Sequence, residues 1–193
     1  MQCQTCGRAD PCEDCGKRQH TYFAHSRSSV RYTAALKPWL ARFKYRGDER
    51  LQTLFADMLE LTFSQHYSNL SVDLITYVPI SQERHEERGF NQAQLLAEEL
   101  GRRLAIPVEP MLIRTRHTAK QSYKNRSARI EDMKQAFAIH PDTQKQLLTF
   151  RDFRPINIVI IDDVYTTGST LNQCARIIGR HVPGRIYGLT WAR

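Results

Sequence analysis

Ile156-Asn157-Ile158-Val159-Ile160-Ile161 offers almost no polar face, and two carboxylates, Asp162 and Asp163, follow it directly. A short apolar run this rich in β-branched residues predicts a strand buried on both sides, the kind found inside a parallel sheet. Parallel neighbours need crossover connections, so this stretch alone commits the chain to alternating strands and helices. The flanking sequence supplies both. "VDLITYVPI", ended by Pro79, reads as another buried strand, "IPVEPMLIR" and "QAFAI" are further strand candidates, and "RIYGLTWAR" reads as a closing strand. "AALKPWLARFKYRGDERLQTLFADMLELTF" has helical period broken at Arg46-Gly47-Asp48, which predicts two helices. In "ERGFNQAQLLAEELGRRL", Ala93, Leu96, Ala97, Leu100 and Leu104 share one helix face, and "STLNQCARIIGR" is a further helix. The expected fold class is α/β, a parallel sheet flanked by helices, with ligands gathering at the carboxyl ends of its strands.

Asp162 and Asp163 fall at such an end, where the chain is expected to emerge from the sheet. Adjacent residues of a regular strand face opposite ways, but at a fraying strand end both carboxylates could reach a polyol or a hydrated Mg²⁺. Thr166-Thr167-Gly168-Ser169-Thr170 comes next. Its small side chains and glycine let backbone N–H groups turn inward at a helix N-terminus, which makes an anion cradle. Sugar hydroxyls on the acids and a phosphate on the loop describe a ribose 5-phosphate.

Four of five cysteines crowd the N-terminus: Cys3-x-x-Cys6, a five-residue connection, then Cys12-x-x-Cys15, with Gly7 and Gly16 directly after each pair. The spacing lets two tight turns present four thiolates to one metal, with the glycines expected to let those turns close. Zn²⁺ in a closed, structural site is the expectation; a redox pair and an iron–sulfur cluster are the competing uses. Lone Cys174 reads as a small core residue.

The 193 residues, 41% of them hydrophobic, suffice for one main domain with a small appendage. The formal net charge of +8 suits a protein that meets polyanions, whether nucleic acid or a phosphorylated small molecule. No apolar run approaches the roughly 18 residues a membrane span needs, and the N-terminus lacks the pattern of a secretory signal, so a cytosolic location is expected.

"IVIIDDVYTTGST" resembles the phosphoribosyl-pyrophosphate motif of type I phosphoribosyltransferases. The resemblance implies that Asp162 and Asp163 hold the ribose hydroxyls while Thr166, Thr167, Gly168, Ser169 and Thr170 hold the 5-phosphate. Purine-salvage members usually carry Asp at the place of Thr166, whereas orotate-type members carry Thr, so purine salvage is disfavoured. "YVPISQERHEERGFNQAQLLAEEL", "RTRHTAKQSYKNRSARIEDMKQAF" and the cysteine turns together resemble the ComF family of competence and DNA-utilisation proteins. That likeness implies a zinc finger over residues 1–20 and a phosphoribosyltransferase-like domain over 21–193. By the same likeness, Pro79, Ile80 and Ser81 form the pyrophosphate loop and Arg84 and Arg88 supply guanidinium forks. Lys120 and Arg126 belong to a loop that closes over the pyrophosphate. That basic loop, with Tyr123 to stack on a base, would also bind single-stranded DNA.

Two roles are therefore expected as alternatives. One is a protein of natural transformation that engages single-stranded DNA, or a partner such as a helicase or strand-loading factor. The other is a working phosphoribosyltransferase whose acceptor would be chosen by a hood drawn from "HSRSSVRYTAALK".

Overall fold

The computed structural model describes residues 1–9, 12–46, 49–115, 136–143 and 155–193, the side chains of Arg46 and Glu49 excepted. A short helix α1 (Glu13–Gly16) lies in the cysteine segment, and strand β1 (Ser26–Val30) follows it. Helices α2 (Lys37–Arg46) and α3 (Glu49–His66) are the two expected from the broken helical period. Next come β2 (Leu74–Tyr77), α4 (Gln82–Arg88), α5 (Gln92–Leu104), β3 (Leu112–Arg114), β4 (Phe137–Ile139), β5 (Ile156–Val164), α6 (Ser169–Gly179) and β6 (Gly184–Ala192).

The main sheet is four-stranded and parallel throughout, in the order β1-β6-β5-β2. The expected α/β class is therefore the observed one, with the most apolar strand, β5, near its centre. Alternation along β5 divides the core. Ile158 and Ile160 point to the face covered by α6, where Leu171, Cys174 and Ile178 are buried with Met111, Phe137 and Cys6. Val159 and Ile161 point to the other face, against Phe55 and Leu59 of α3 and Leu96 and Leu100 of α5. On that second face Trp191 is fully buried and its ring stacks on Phe55, centroids 4.0 Å apart. Burying such an aromatic pair contributes about 3 kcal/mol or more relative to alanine.

The strand candidates "IPVEPMLIR" and "QAFAI" do not extend the main sheet as full strands. Val108 makes one parallel bridge to Ile75, but Pro107 and Pro110 flank it and cannot donate to a ladder. Beyond Pro110 the chain pairs β3 with β4 antiparallel, so that Leu112 and Phe137 roof the α6 face. The polar stretch after the cysteines leads into β1, an edge strand of the main sheet. It also carries the residues expected to form a hood.

A second difference lies between β2 and α5. The stretch read as carrying one helix face is divided: α4 ends at Arg88, and the helix with that face, α5, starts at Gln92. Asn91 makes the restart: its side chain accepts from Ala93 N at 3.1 Å and donates to the buried Val78 carbonyl at 3.0 Å. No helix among the described residues is long and apolar enough to cross a membrane.

Candidate functional site

The carboxyl ends of β2 and β5 lie side by side, and each opens into a loop. Val78 N still donates to Ile161 O at 3.0 Å, after which the β2 chain turns away through Pro79, Ile80 and Ser81. β5 runs three residues further, paired on one side only, with Asp162 opposite Thr190 and Val164 opposite Ala192. The strand therefore does not fray at Asp162, contrary to expectation, because the long strand β6 holds it in register. A consequence is that the two carboxylates follow the alternation of β5. Asp162 shares the α6 face with Ile160, and Asp163 shares the α2 side, where Lys44 Nζ lies 2.5 Å from its Oδ2.

Asp162 Oδ1 also accepts from Asp163 N at 2.9 Å. Burial, and then the Asp163 carboxylate beside it, push the Asp162 carboxyl up to about 8, against a smaller pull from Lys44 and Arg114. Asp162 thus favours its protonated form near neutrality unless a cation stabilises its charge.

The loop after β5 turns sharply. Tyr165 is buried and its N–H donates to Ala192 O at 2.8 Å, while Thr166 and Thr167 are exposed. Gly168 sits at the N-terminus of α6 with φ of 75°, and an added Cβ there would lie 2.2 Å from Tyr165 Oη. Glycine is required twice over, by backbone and by space. Among the described residues no protein acceptor takes the N–H groups of Thr166, Thr167 or Gly168. The carbonyls of residues 165 to 167 face the cysteine segment, where Arg8 and Arg18 donate to them. In a trans peptide C=O and N–H point in opposite directions, so those three amides face away from the arginines. Ser169 completes the turn through a 2.8 Å contact between its Oγ and Thr167 Oγ1, and Thr170 is exposed in the first turn of α6.

The β2 side is built differently. Ser81 is buried and its Oγ accepts from Arg84 N at 3.4 Å, capping α4, whose residues up to Glu87 are exposed. Arg88 is the last residue of that helix. Its Nη1 donates to Gln92 Oε1 at 2.9 Å and its guanidinium lies over the Tyr45 ring at 5.3 Å. Pro79, Ile80 and Ser81 thus border the acidic strand end, while Arg88 is engaged with α2 and α5. Lys120, Tyr123 and Arg126 lie outside the described residues.

Cys3, Cys6, Cys12 and Cys15 converge, each with a sulfur within 4.8 Å of the others, and all four are free thiols. Cys6 Sγ and Cys12 Sγ are 3.5 Å apart, and burial with the neighbouring Cys6 and Cys12 sulfurs pushes the Cys15 thiol up. Four would-be thiolates at that spacing fit a tetrahedral metal that takes sulfur, such as zinc. Gly7 closes the first turn with φ of 70°, whereas Gly16 lies at the end of α1 with open space around it, so the second turn does not depend on its glycine.

Lys44, Arg114, Arg8 and Arg18 were not anticipated as site residues. Each is one basic residue among 28, and its acidic or carbonyl partner lies far away in the chain. Only Arg8, between the two cysteine pairs, carried any signal.

No protein-family model matches this chain. Individual relatives do. Competence protein ComFC of Bacillus subtilis (strain 168) is 36% identical over 185 residues, covering 91% of this chain and 70% of the relative. DNA utilization protein YhgH of Escherichia coli (strain K12) is 30% identical over 154 residues, 78% of this chain and 63% of that protein. Competence protein F of Haemophilus influenzae is 27% identical over 185 residues, 86% and 77% of the two chains. Among solved structures, the glutamine phosphoribosylpyrophosphate amidotransferase of B. subtilis overlaps 86% of this chain and 31% of its own, at 13% identity and TM-score 0.48. An adenine phosphoribosyltransferase from Thermoanaerobacter pseudethanolicus overlaps 81% and 86%, at 16% identity and TM-score 0.43. The ComFC relationship extends over 91% of this chain, and the chain belongs to the ComF family.

Proposed function

We propose that the chain binds phosphoribosyl pyrophosphate or a related sugar phosphate together with Mg²⁺, across the carboxyl edge of β5 and β2. In the cell it would serve the use of external DNA, as the names of its relatives describe for them, with single-stranded DNA or a DNA-processing protein as partner. Residues 1–20 act in this reading as a zinc-organised segment, and residues 21–193 as the sugar-phosphate-binding body.

The observation that carries the proposal is the two-sided loop 165–168. Its carbonyls are bonded on one face and its three consecutive N–H groups are left to the other, beside the adjacent carboxyls of Asp162 and Asp163. Outward amides at a helix N-terminus suit a phosphate. Mg²⁺ would stabilise both acids in their charged form, and Asp163 would exchange Lys44 for the ligand.

Isothermal titration with phosphoribosyl pyrophosphate and Mg²⁺ tests the site: the intact chain binds, and Asp162→Asn combined with Asp163→Asn abolishes the heat. A full-strength signal from that double variant would place the site elsewhere. Release of pyrophosphate on adding a nucleophilic acceptor would extend the reading to glycosyl transfer. For the DNA role, a fluorescent single-stranded oligonucleotide should bind with an affinity that falls steeply with salt. Salt-independent or absent binding would point to protein-mediated contact instead.

A further inference from the structure

The cysteine segment reaches the phosphate loop through two guanidiniums. Arg8 lies between Cys6 and Cys12, and Arg18 three residues after Cys15. Arg8 Nη2 donates to Thr166 O and, at 3.3 Å, to Tyr165 O, while its Nη1 pairs with Asp14 of α1. Arg18 Nη2 donates to Thr167 O at 2.5 Å and lies 3.4 Å from Tyr165 Oη. A second clasp sits one turn into α6, where Asn172 accepts from Tyr22 N at 2.8 Å and donates to His20 O at 2.9 Å. Every carbonyl from 165 to 167 is therefore tied to the segment that the four cysteines organise.

The chemistry of the ties suits the task. Thr166 and Thr167 are exposed, so packing alone does little to fix their conformation. Charge-assisted bonds from a planar fork can fix it, since one guanidinium spans two carbonyls and a carboxylate at once. Rotating either peptide to aim its N–H elsewhere would turn a carbonyl away from its arginine and leave that donor without an acceptor. Gly168 closes the assembly: a Cβ there would come within 2.7 Å of Arg18 Nη2.

We infer that Arg8 and Arg18 are positioning residues, and that metal held by Cys3, Cys6, Cys12 and Cys15 sets the aim of the Thr166, Thr167 and Gly168 amides through them. The ligand half of this inference rests on the sugar-phosphate reading, while the geometric half stands apart from it. Metal occupancy at the cysteines and anion affinity at the loop are then coupled, although no cysteine touches the anion.

The test uses the full zinc-loaded chain, Arg8→Ala with Arg18→Ala, Arg8→Lys with Arg18→Lys, and the native chain stripped by a chelator. Zinc content is read by native mass spectrometry, loop order by nitrogen-15 heteronuclear NOE at residues 166–168, and affinity by titration with phosphoribosyl pyrophosphate and Mg²⁺. The alanine pair should keep its zinc, lose NOE at the loop, and bind about tenfold more weakly or worse. The lysine pair, which keeps the charge and loses the fork, should recover only part of each. Chelation should lower the same NOE values, which decides the matter even if the alanine pair fails to fold. Native loop order in either the zinc-retaining alanine pair or the stripped chain overturns the inference, as does full recovery by lysine. A native chain that binds no sugar phosphate would defeat the ligand reading alone, since the NOE arm needs no ligand.

Discussion

Two loops leave the same edge of the sheet. The one after β5 spends its side chains on shape and leaves its amides outward, held from behind by Arg8 and Arg18. The one after β2 spends its polar groups on itself: Asn91 takes the Val78 carbonyl, Ser81 caps α4, and Arg88 is stacked on Tyr45. A parallel sheet offers both positions to a ligand, but only in the first do guanidiniums from a distant segment hold three consecutive carbonyls. The contrast teaches that the aim of a strand-end loop's amides can be set from behind, by guanidiniums that hold several carbonyls in a row.

If that contrast is right, the largest effect belongs to Gly168→Val. A β-branched side chain at φ of 75° would be strained and would strike Tyr165 Oη, so phosphoribosyl pyrophosphate affinity should fall at least ~100-fold in titration, with about 1–3 kcal/mol lost from urea unfolding. Native affinity in this variant would erase the distinction between the loops.

The acidic strand end should also show in the pH dependence of stability. The folded Asp162 carboxyl sits near 8 against an ordinary 3.8, so the folded chain holds a proton that the unfolded chain gives up. That stabilisation is complete below about pH 4 and is lost as pH rises to about 8 when no divalent cation is added. Asp162→Asn should flatten this slope in urea titrations, and added Mg²⁺ should reduce it. An unchanged slope in the variant would assign the titration to another group.

The smallest effects belong to the β2 side, where changes should alter stability and leave the β5 loop intact. Asn91→Ala should cost about 1–2 kcal/mol by leaving the buried Val78 carbonyl without its donor. Ser81→Ala, losing a long cap bond, should cost about 0.5–1 kcal/mol. Both should retain ligand affinity within a few-fold, and a large loss from Ser81→Ala would promote that loop to a binding element.

The fold was legible where periodicity spoke. The apolar run of β5 announced a central parallel strand, and Ala93, Leu96, Ala97 and Leu100 announced the buried face of α5. The four cysteines were legible because their ligands are local in sequence, and their convergence within 4.8 Å agrees. The strand character of Asp162 and Asp163 was not, because two acids look like the start of a loop and the partner that holds them, β6, ends the chain. The Lys44–Asp163 pair and the arginine ties were equally invisible. They join residues more than a hundred positions apart, and no spacing rule marks one basic side chain among so many.

The most direct measurement is a crystal of the chain soaked with phosphoribosyl pyrophosphate and Mg²⁺. The expected result is a phosphate about 3 Å from the Thr166, Thr167 and Gly168 nitrogens, with the sugar over Asp162 and Asp163. Phosphate density lodged elsewhere, or those three nitrogens turned from it toward protein acceptors, would contradict the two-sided loop on which the assignment depends.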